Sequence, residues 1–249
     1  MQIPSTQHLL AAWERGRAAP QQVERALALL LAAHANMPRT AAAELPIGER
    51  DRRLLTLRDQ MFGPRLSALT SCPECGAALD LELDARELGA APEADGGSEG
   101  DGAPYVFKHD DFDLEFRLPS SSYVLSLPEV PEAENRMRLL ERLVLRASRA
   151  GEPIPASALP STVVDELERQ LSRVDPQADI RLDLSCAACS ARWQAPFDIV
   201  SYLWHEVDAW ALRLLRDVHR LARAYSWREA DILALSPSRR QCYLDLLNE

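Results

Sequence analysis

Two cysteine pairs with the same spacing constrain this 249-residue chain more than any other feature. They read CPEC at residues 72–75 and CAAC at residues 186–189, and 110 residues lie between them. A C-x-x-C turn presents two thiolates, so two such turns supply the four sulfur ligands of a tetrahedral structural zinc site. We therefore predict one structural Zn²⁺ with four ligands: Cys72, Cys75, Cys186 and Cys189.

The residues that flank both pairs alternate between apolar and polar side chains, at residues 77–84, 180–184 and 192–197. A period of two is typical of half-buried strands, so the pattern predicts a zinc ribbon split by a long insertion. The alternative is two unrelated pairs of buried or redox thiols. It is weaker, because a redox C-x-x-C is expected between a strand and a helix. A closed four-thiolate site has no open coordination position, so we expect the zinc to be structural and not catalytic.

Most of the remaining chain has apolar residues at three- and four-residue steps, the period of an amphipathic helix. We predict an α+β protein that is mainly α-helical, with N- and C-terminal helices on either side of the split four-cysteine zinc ribbon. The expected regions are an N-terminal helical region at residues 1–70, ribbon halves at residues 71–88 and 179–197, an insertion at residues 89–178 and a C-terminal helical region at residues 198–249. The insertion should contain an acidic loop, a hairpin and helices.

Three helices are predicted with particular boundaries or faces. Residues 49–62 should form a helix with its arginines opposite the apolar face, and residues 132–149 should form one continuous helix. Residues 198–225 should form a long helix with a broad apolar face, long enough to serve as a docking surface.

Three other segments are expected not to be helical. Residues 66–69 should form a turn that leads into the first cysteine pair. Residues 89–103 are rich in Ala, Pro, Glu, Asp and Gly, so we predict a mobile acidic loop. Residues 105–118 should form a hairpin within the insertion.

The formal net charge is −10, and the excess of negative charge lies in the middle of the chain. Residues 71–135 contain 16 acidic and 3 basic side chains. Such a surface would repel a phosphate backbone, so we expect no nucleic-acid partner. No apolar run approaches the roughly 20 residues that a membrane helix needs, and no signal-peptide pattern opens the chain. We therefore expect no membrane association and a location in reducing cytosol.

Catalytic chemistry has little support in the sequence. Residues 120–122 are three serines without a G-x-S-x-G elbow or a neighbouring histidine, and no phosphate-binding glycine loop is present. His109 lies among aspartates in what we interpret as a solvated turn. His205 and His219 are too far apart for a metal-binding pair and are predicted at the surface or its boundary, whereas Cys242 is predicted to be buried. We expect no catalytic residue, no enzyme activity and no small-molecule substrate.

Several segments together carry a resemblance to a known family. They are residues 45–51 with the helix that follows to Phe62, both cysteine pairs, residues 116–119 and residues 224–240. In these segments the chain resembles the T4-like baseplate hub assembly chaperone family, which contractile-tailed phages and bacterial contractile injection systems encode. The family has no catalytic residues to transfer. The resemblance implies a bacterial cytoplasmic protein, or one carried into the particle, that helps to build the baseplate hub or spike by binding another baseplate protein.

Two other classes of protein remain as alternatives. The first is a zinc-ribbon adaptor of the transcription or nucleic-acid machinery. The acidic side chains Glu74, Asp80, Glu82 and Asp84 in and after the first cysteine pair argue against it, because a basic ribbon face is missing. The second is a metalloenzyme, which a closed four-thiolate site disfavours. Any binding surface is expected on the C-terminal helices as a group.

Overall fold

The computed structural model describes residues 3–19, 21–89, 104–128 and 132–247. The chain forms two compact units. We call Met1–Met37 with Ile199–Glu249 the terminal unit and Pro38–Asp198 the central unit. Among the described residues, no helix has both the length and the apolarity that a bilayer crossing requires.

The described residues form helices and strands in both units. The α-helices are α1 (Thr6–Ala18), α2 (Gln22–Ala33), α3 (Arg39–Glu44), α4 (Ile47–Phe62), α5 (Ala85–Gly89), α6 (Ser121–Leu125), α7 (Glu132–Leu143), α8 (Ser161–Val174), α9 (Ile199–Tyr225), α10 (Glu229–Leu233) and α11 (Pro237–Leu246). The strands are β1 (Arg65–Ser71), β2 (Ala78–Asp84), β3 (Tyr105–His109), β4 (Phe112–Phe116), β5 (Val144–Arg149), β6 (Glu152–Pro153), β7 (Arg181–Ser185) and β8 (Arg192–Pro196). Short 3-10 helices lie at Ala156–Ala158 and Pro176–Ala178. The predicted mixture of helix and strand, with helix in excess, is confirmed.

Helix α9 is the longest element of the terminal unit and confirms the long helix predicted there. Its first half buries a stripe that includes Leu203, Val207 and Ala211, and α1 and α2 pack against this helix. A buried tryptophan adds a polar contact, since Trp13 Nε1 donates a hydrogen bond to Asp208 Oδ1 at 2.8 Å. The N-terminal helices and the C-terminal helix therefore share one core.

The second half of α9 supports α10 and α11. The buried apolar residues of this cluster are Leu214, Val218, Leu221, Ile232 and Leu244. Three aromatic rings pack beside them: Trp227 stacks on Tyr225 and meets Tyr243 edge-on, with 4.8 Å between ring centroids in both pairs. Ser236 caps α11 by accepting a hydrogen bond from the backbone N–H of Arg239 at 3.3 Å. The C-terminal helices thus form an ordered cluster on one long helix.

The central unit contains three antiparallel sheets. Strands β1 and β2 form one hairpin, β7 and β8 form another, and a four-stranded sheet has the order β3-β4-β5-β6. The four-stranded sheet covers a core shared with α7 and α8. Its buried side chains are Phe107, Phe112, Leu114, Phe116, Leu140, Val144, Ala147, Val163 and Leu167. The predicted hairpin at residues 105–118 is confirmed as β3 and β4, with Asp110 in its turn at a φ of 51°.

The prediction of one helix over residues 132–149 is wrong in its second half. Helix α7 ends at Leu143, and Val144–Arg149 forms β5, which pairs with β4. Gly151 lies at a φ of 89° in the turn between β5 and β6. The spacing of apolar residues here favours a helix, but pairing with β4 and the burial of Val144 and Ala147 stabilise a strand instead. Strand formation depends on such distant partners more than on local spacing.

The predicted turn at residues 66–69 is also wrong. These residues belong to β1, which pairs along its whole length with β2 and places Leu66 opposite Leu83. Gly63 and Pro64 do end α4, but the chain then continues directly as a strand. Of the predicted acidic loop, Gly89 ends α5, and residues 90–103 lie outside the described residues.

Candidate metal centre

The first cysteine pair lies in the turn between β1 and β2. The backbone N–H of Cys72 donates to the carbonyl oxygen of Ala77, and the N–H of Gly76 donates to that of Cys72, both at 2.9 Å. Gly76 has a φ of 73°, in the left-handed region that glycine adopts without strain. The tight turn therefore places Cys72 and Cys75 together at the end of the β1–β2 hairpin.

The second pair repeats this geometry between β7 and β8. The N–H of Cys186 donates to the carbonyl oxygen of Ala191, and the N–H of Ser190 donates to that of Cys186, again at 2.9 Å. Ser190 occupies the position that corresponds to Gly76 and has a φ of 61°. The two segments share little sequence beyond their cysteines, yet they form the same turn. We call these turns, at residues 72–76 and 186–190, the two knuckles.

The two knuckles meet, and their four sulfur atoms form one cluster within the central unit. Cys72 Sγ lies 3.7 Å from Cys189 Sγ, and Cys75 Sγ lies 3.6 Å from Cys186 Sγ. All four sulfurs lie within 4.8 Å of one another. A Zn–S bond of about 2.3 Å gives a sulfur–sulfur separation of about 3.8 Å in a regular tetrahedron. The four cysteines can therefore hold a metal ion without a large rearrangement.

Burial differs in the same way within each pair. Cys72 and Cys186, the first cysteine of each knuckle, are buried, whereas Cys75 and Cys189 are exposed. The cluster therefore has an inner and an outer side, and a metal ion could enter from the outer side. Each knuckle contributes one cysteine to the inner side and one to the outer side. A metal ion bound by all four would therefore join the two hairpins.

Electrostatics within the cluster favour a bound cation. Backbone N–H groups of Cys189 and Ala188 donate to the sulfur of Cys186 and lower its pKa to about 7. The N–H of Ala191 lowers the pKa of Cys189 in the same manner, but the neighbouring cysteine sulfurs, Cys75 first, outweigh it and raise that pKa to about 12. Four adjacent thiols cannot all ionise without a compensating positive charge. A metal ion supplies that charge and takes the protons' place.

The other candidate residues lie apart from this cluster. His109 ends β3, and its Nε2 is 3.8 Å from Asp110 Oδ2 beside the hairpin turn. His205 and His219 are exposed, as predicted. The prediction that Cys242 is buried is wrong: it is exposed on α11, because the inward positions of that helix belong to Arg240 and Leu244. In the described ranges, the four knuckle cysteines form the one cluster with metal-ligand spacing.

A buried polar cluster in the central unit was not predicted. Arg50, in the first turn of α4, is 7% exposed; its Nε donates to Asp51 Oδ1 at 2.7 Å and its Nη1 donates to Ser121 Oγ at 3.0 Å. The backbone N–H of Ile47 donates to the carbonyl oxygen of Pro119 at 2.9 Å. Two segments quoted above, residues 45–51 and the strand end at Pro119, therefore contact each other.

Asp175 completes this cluster from the end of α8. Its Oδ2 accepts a hydrogen bond from the backbone N–H of Gly48 at 3.0 Å, at the start of α4. Burial raises the pKa of Asp175, although the hydrogen bond from Gly48 acts in the opposite direction. Burial likewise raises the pKa of Asp51 against the lowering effect of Arg50. These paired groups hold α4, α6 and α8 together.

The prediction that arginines lie opposite the apolar face of α4 is wrong for two of them. Arg50 and Arg58 are buried, at 7% and 3% exposure, on the same side as Leu54 and Leu57. The burial of Arg50 and Arg58 could have been predicted from their spacing, because residues 50, 54, 57 and 58 share one helical face. Arg58 reaches the carbonyl oxygen of Gly63 and so binds the end of its own helix.

The fold and the cluster together define a mixed α/β protein with four cysteines placed to bind one metal ion. The sequence model of a protein family, described as T4 bacteriophage base plate protein, matches residues 5–204. Because this match covers most of the chain, the protein belongs to that family. No curated protein and no solved structure matches the chain.

The match confirms the resemblance at the level of the baseplate family. It contains residues 45–51, residues 116–119 and both knuckles, whereas residues 224–240 lie C-terminal to it. Family membership indicates a structural or assembly role in a phage-type baseplate and contact with other baseplate proteins.

Proposed function

We propose that this protein is a non-enzymatic assembly factor, or a minor component, for the hub or spike of a contractile tail or injection apparatus. It acts by binding other baseplate proteins. The observation that carries this proposal is the family match over residues 5–204. The protein works in the bacterial cytoplasm during assembly and enters the particle if it stays bound.

A structural zinc ion is part of the proposal. Cys72, Cys75, Cys186 and Cys189 hold one Zn²⁺, which pins the β1–β2 hairpin to the β7–β8 hairpin. The support is the spacing of the four sulfurs, with two separations of 3.7 and 3.6 Å and all of them within 4.8 Å, together with the set of four thiol side chains. Four protein ligands leave no position for a substrate or an activated water. The zinc therefore maintains the fold, and the partner surface lies elsewhere.

The serines at residues 120–122 give no support to a catalytic alternative. Ser121 is fully buried and accepts a hydrogen bond from Arg50, and Ser120 and Ser122 contact each other with 2.8 Å between their Oγ atoms. A nucleophile needs an adjacent base and access to a substrate. These hydroxyls instead satisfy buried polar groups beside α4.

Co-expression with the hub and spike proteins of the same baseplate tests the proposal. The tagged protein should retain a hub or spike protein through affinity purification and gel filtration. Particles from cells that lack the protein should be deficient in hub or spike. If no hub or spike protein is retained and particles assemble normally without the protein, the proposal is wrong.

A further inference from the structure

The outward face of the four-stranded sheet has a depression with a volume of about 580 Å³. The opposite face of this sheet packs on α7 and α8. The described residues that line the depression belong to the four strands, to the turn between β5 and β6, or to Ile154, which directly follows β6. We call this depression the sheet groove. Its apolar lining includes Val106, Leu145 and Pro153, and its charged lining consists of Asp113, Glu115 and Arg146.

Three exposed apolar side chains lie around the sheet groove. Val106 on β3 is 71% exposed, Leu145 on β5 is 39% exposed, and Pro153 on β6 is exposed as well. Single apolar residues scattered over a surface are normal in soluble proteins, whereas several around one depression indicate an interaction site. The three side chains come from three different strands, so the sheet itself brings them together.

A β-bulge in β5 places Leu145 at this face. Arg146 pairs with Glu115, but the next residue of β4, Phe116, pairs with Val144, so Leu145 is an extra residue without a partner on β4. In a regular strand, one of two consecutive side chains faces the core. Here Leu145 and Arg146 are both exposed, whereas Val144 is buried. Bulges are common next to functional sites, where they change the direction of a side chain.

The charged side chains of this face are paired with one another. Arg146 Nη1 lies 3.6 Å from Glu115 Oε2, and Lys108 Nζ lies 2.9 Å from Asp113 Oδ1. Both pairs join residues that lie opposite each other on neighbouring strands. A partner therefore needs no charge of its own to balance this face. An uncharged, apolar surface matches it, because the aliphatic parts of lysine and arginine side chains also pack against apolar groups.

Two other kinds of occupant fit the sheet groove less well. Pockets for small molecules surround most of the ligand, whereas the sheet groove is lined by one face of one sheet. A two-fold contact with a second copy requires a surface that is complementary to itself, and a depression does not fit another depression. Such a contact would also place the four charged side chains of this face against the same four of the copy. A convex element, such as the side of a helix, fits the sheet groove better.

We propose that the sheet groove binds the apolar side of an amphipathic helix of another baseplate protein. This inference rests on the proposed function and names the surface and the chemistry of the partner. Apolar side chains at three- and four-residue steps on such a helix contact Val106, Leu145 and Pro153. The sheet groove lies within residues 5–204, the part of the chain that matches the baseplate family. This surface differs from the C-terminal helices, where the sequence led us to expect binding.

Lys108 permits a direct test, because it is the only lysine of the chain. It lies two residues after Val106 on the same face of β3, and its side chain is 75% exposed. An acylating reagent therefore modifies Lys108 and the N-terminal amine. Mass spectrometry measures the rate at Lys108 in the free protein and in its purified complex with a hub or spike protein. We expect acylation to be several-fold slower in the complex, and an unchanged rate would overturn the inference.

A pair of matched variants tests the same surface by affinity. Val106→Glu places a charge at the sheet groove, and Leu69→Glu is the control, because Leu69 is 78% exposed on β1. Both changes put a glutamate opposite an acidic residue, Glu115 in the first case and Asp80 in the second. Circular dichroism checks that both variants are folded, and isothermal titration calorimetry measures their affinity for the hub or spike protein. Val106→Glu should bind about tenfold more weakly, and Leu69→Glu should bind like the wild type.

The remaining outcomes separate this inference from other occupants and from the proposed function. In native mass spectrometry of the protein alone, a dimer that Val106→Glu abolishes would assign the sheet groove to a second copy. A bound small molecule that the variant loses would assign it to that ligand, and either result overturns the inference. If a hub or spike protein binds the wild type and Val106→Glu equally, the inference fails while the proposed function stands. If no hub or spike protein binds the wild type, both fail.

Discussion

Replacement of Gly48 by alanine tests the buried polar cluster that holds the start of α4. A methyl group at this position would lie 1.8 Å from Asp175 Oδ1, 2.6 Å from its Cγ and 2.9 Å from the backbone nitrogen of Ala178. The carboxylate must move, and the hydrogen bond from the N–H of Gly48 to Asp175 Oδ2 is then broken. We therefore expect Gly48→Ala to destabilise the central unit.

The magnitude follows from three effects. Overpacking costs about 1–3 kcal/mol. Loss of a buried hydrogen bond adds about 1–3 kcal/mol, because the amide is left without a partner. The better helix propensity of alanine offsets at most about 1 kcal/mol. The net loss in the free energy of unfolding should therefore be about 1–6 kcal/mol, because the first two effects add and the third subtracts.

Denaturant unfolding in zinc-containing buffer measures this loss. Gly89→Ala is the matched control, because a methyl group there would meet its nearest neighbour, Leu55 Cβ, only at 3.8 Å. Asp175→Ala removes the carboxylate, so the double variant should lose less stability than the sum of the two single variants, by about 1 kcal/mol or more. A cost for Gly48→Ala below about 0.5 kcal/mol, or strict additivity in the double variant, would refute the reasoning.

Two further predictions concern the pH dependence of stability and a helix cap. Since burial raises the pKa of Asp175, the folded state binds its proton more tightly, so stability falls as pH rises from the ordinary carboxyl value of 3.8 through the raised one. Asp175→Asn should flatten this fall in denaturant unfolding series between acidic and neutral pH, and an unchanged slope would contradict it. Ser236→Ala should destabilise the cap of α11 by about 1 kcal/mol, whereas Ser238→Ala, at an exposed position, should have little effect. Thermal unfolding measures both, and equal melting temperatures for the two variants would contradict the capping role.

The knuckles could be predicted because their information is local. Each consists of two cysteines, a short turn and alternating flanks, and the structure brings the four cysteines together across 110 intervening residues. The long helix α9 was predicted for the same reason, since its apolar period runs through 27 residues without interruption. Paired C-x-x-C turns and amphipathic helices are recognised from spacing alone.

The errors lie where distant partners decide the structure. Val144–Arg149 forms a strand because it pairs with β4, and residues 66–69 form part of a strand because they pair with β2. The local spacing of apolar residues does not reveal either partner strand. The buried cluster around Arg50 was missed for a related reason: its acceptor Ser121 lies 71 residues further along the chain, so a polar side chain on an apolar face looked exposed.

The zinc content of the purified protein tests the central claim most directly. Elemental analysis should find one zinc per chain in the wild type and in Cys242→Ser, and markedly less in Cys72→Ser and Cys186→Ser. Because structural zinc contributes about 10–16 kcal/mol in finger peptides, loss of the metal should also unfold the two hairpins. A metal-free wild-type protein that remains folded, or a zinc content that Cys186→Ser leaves unchanged, would contradict the account.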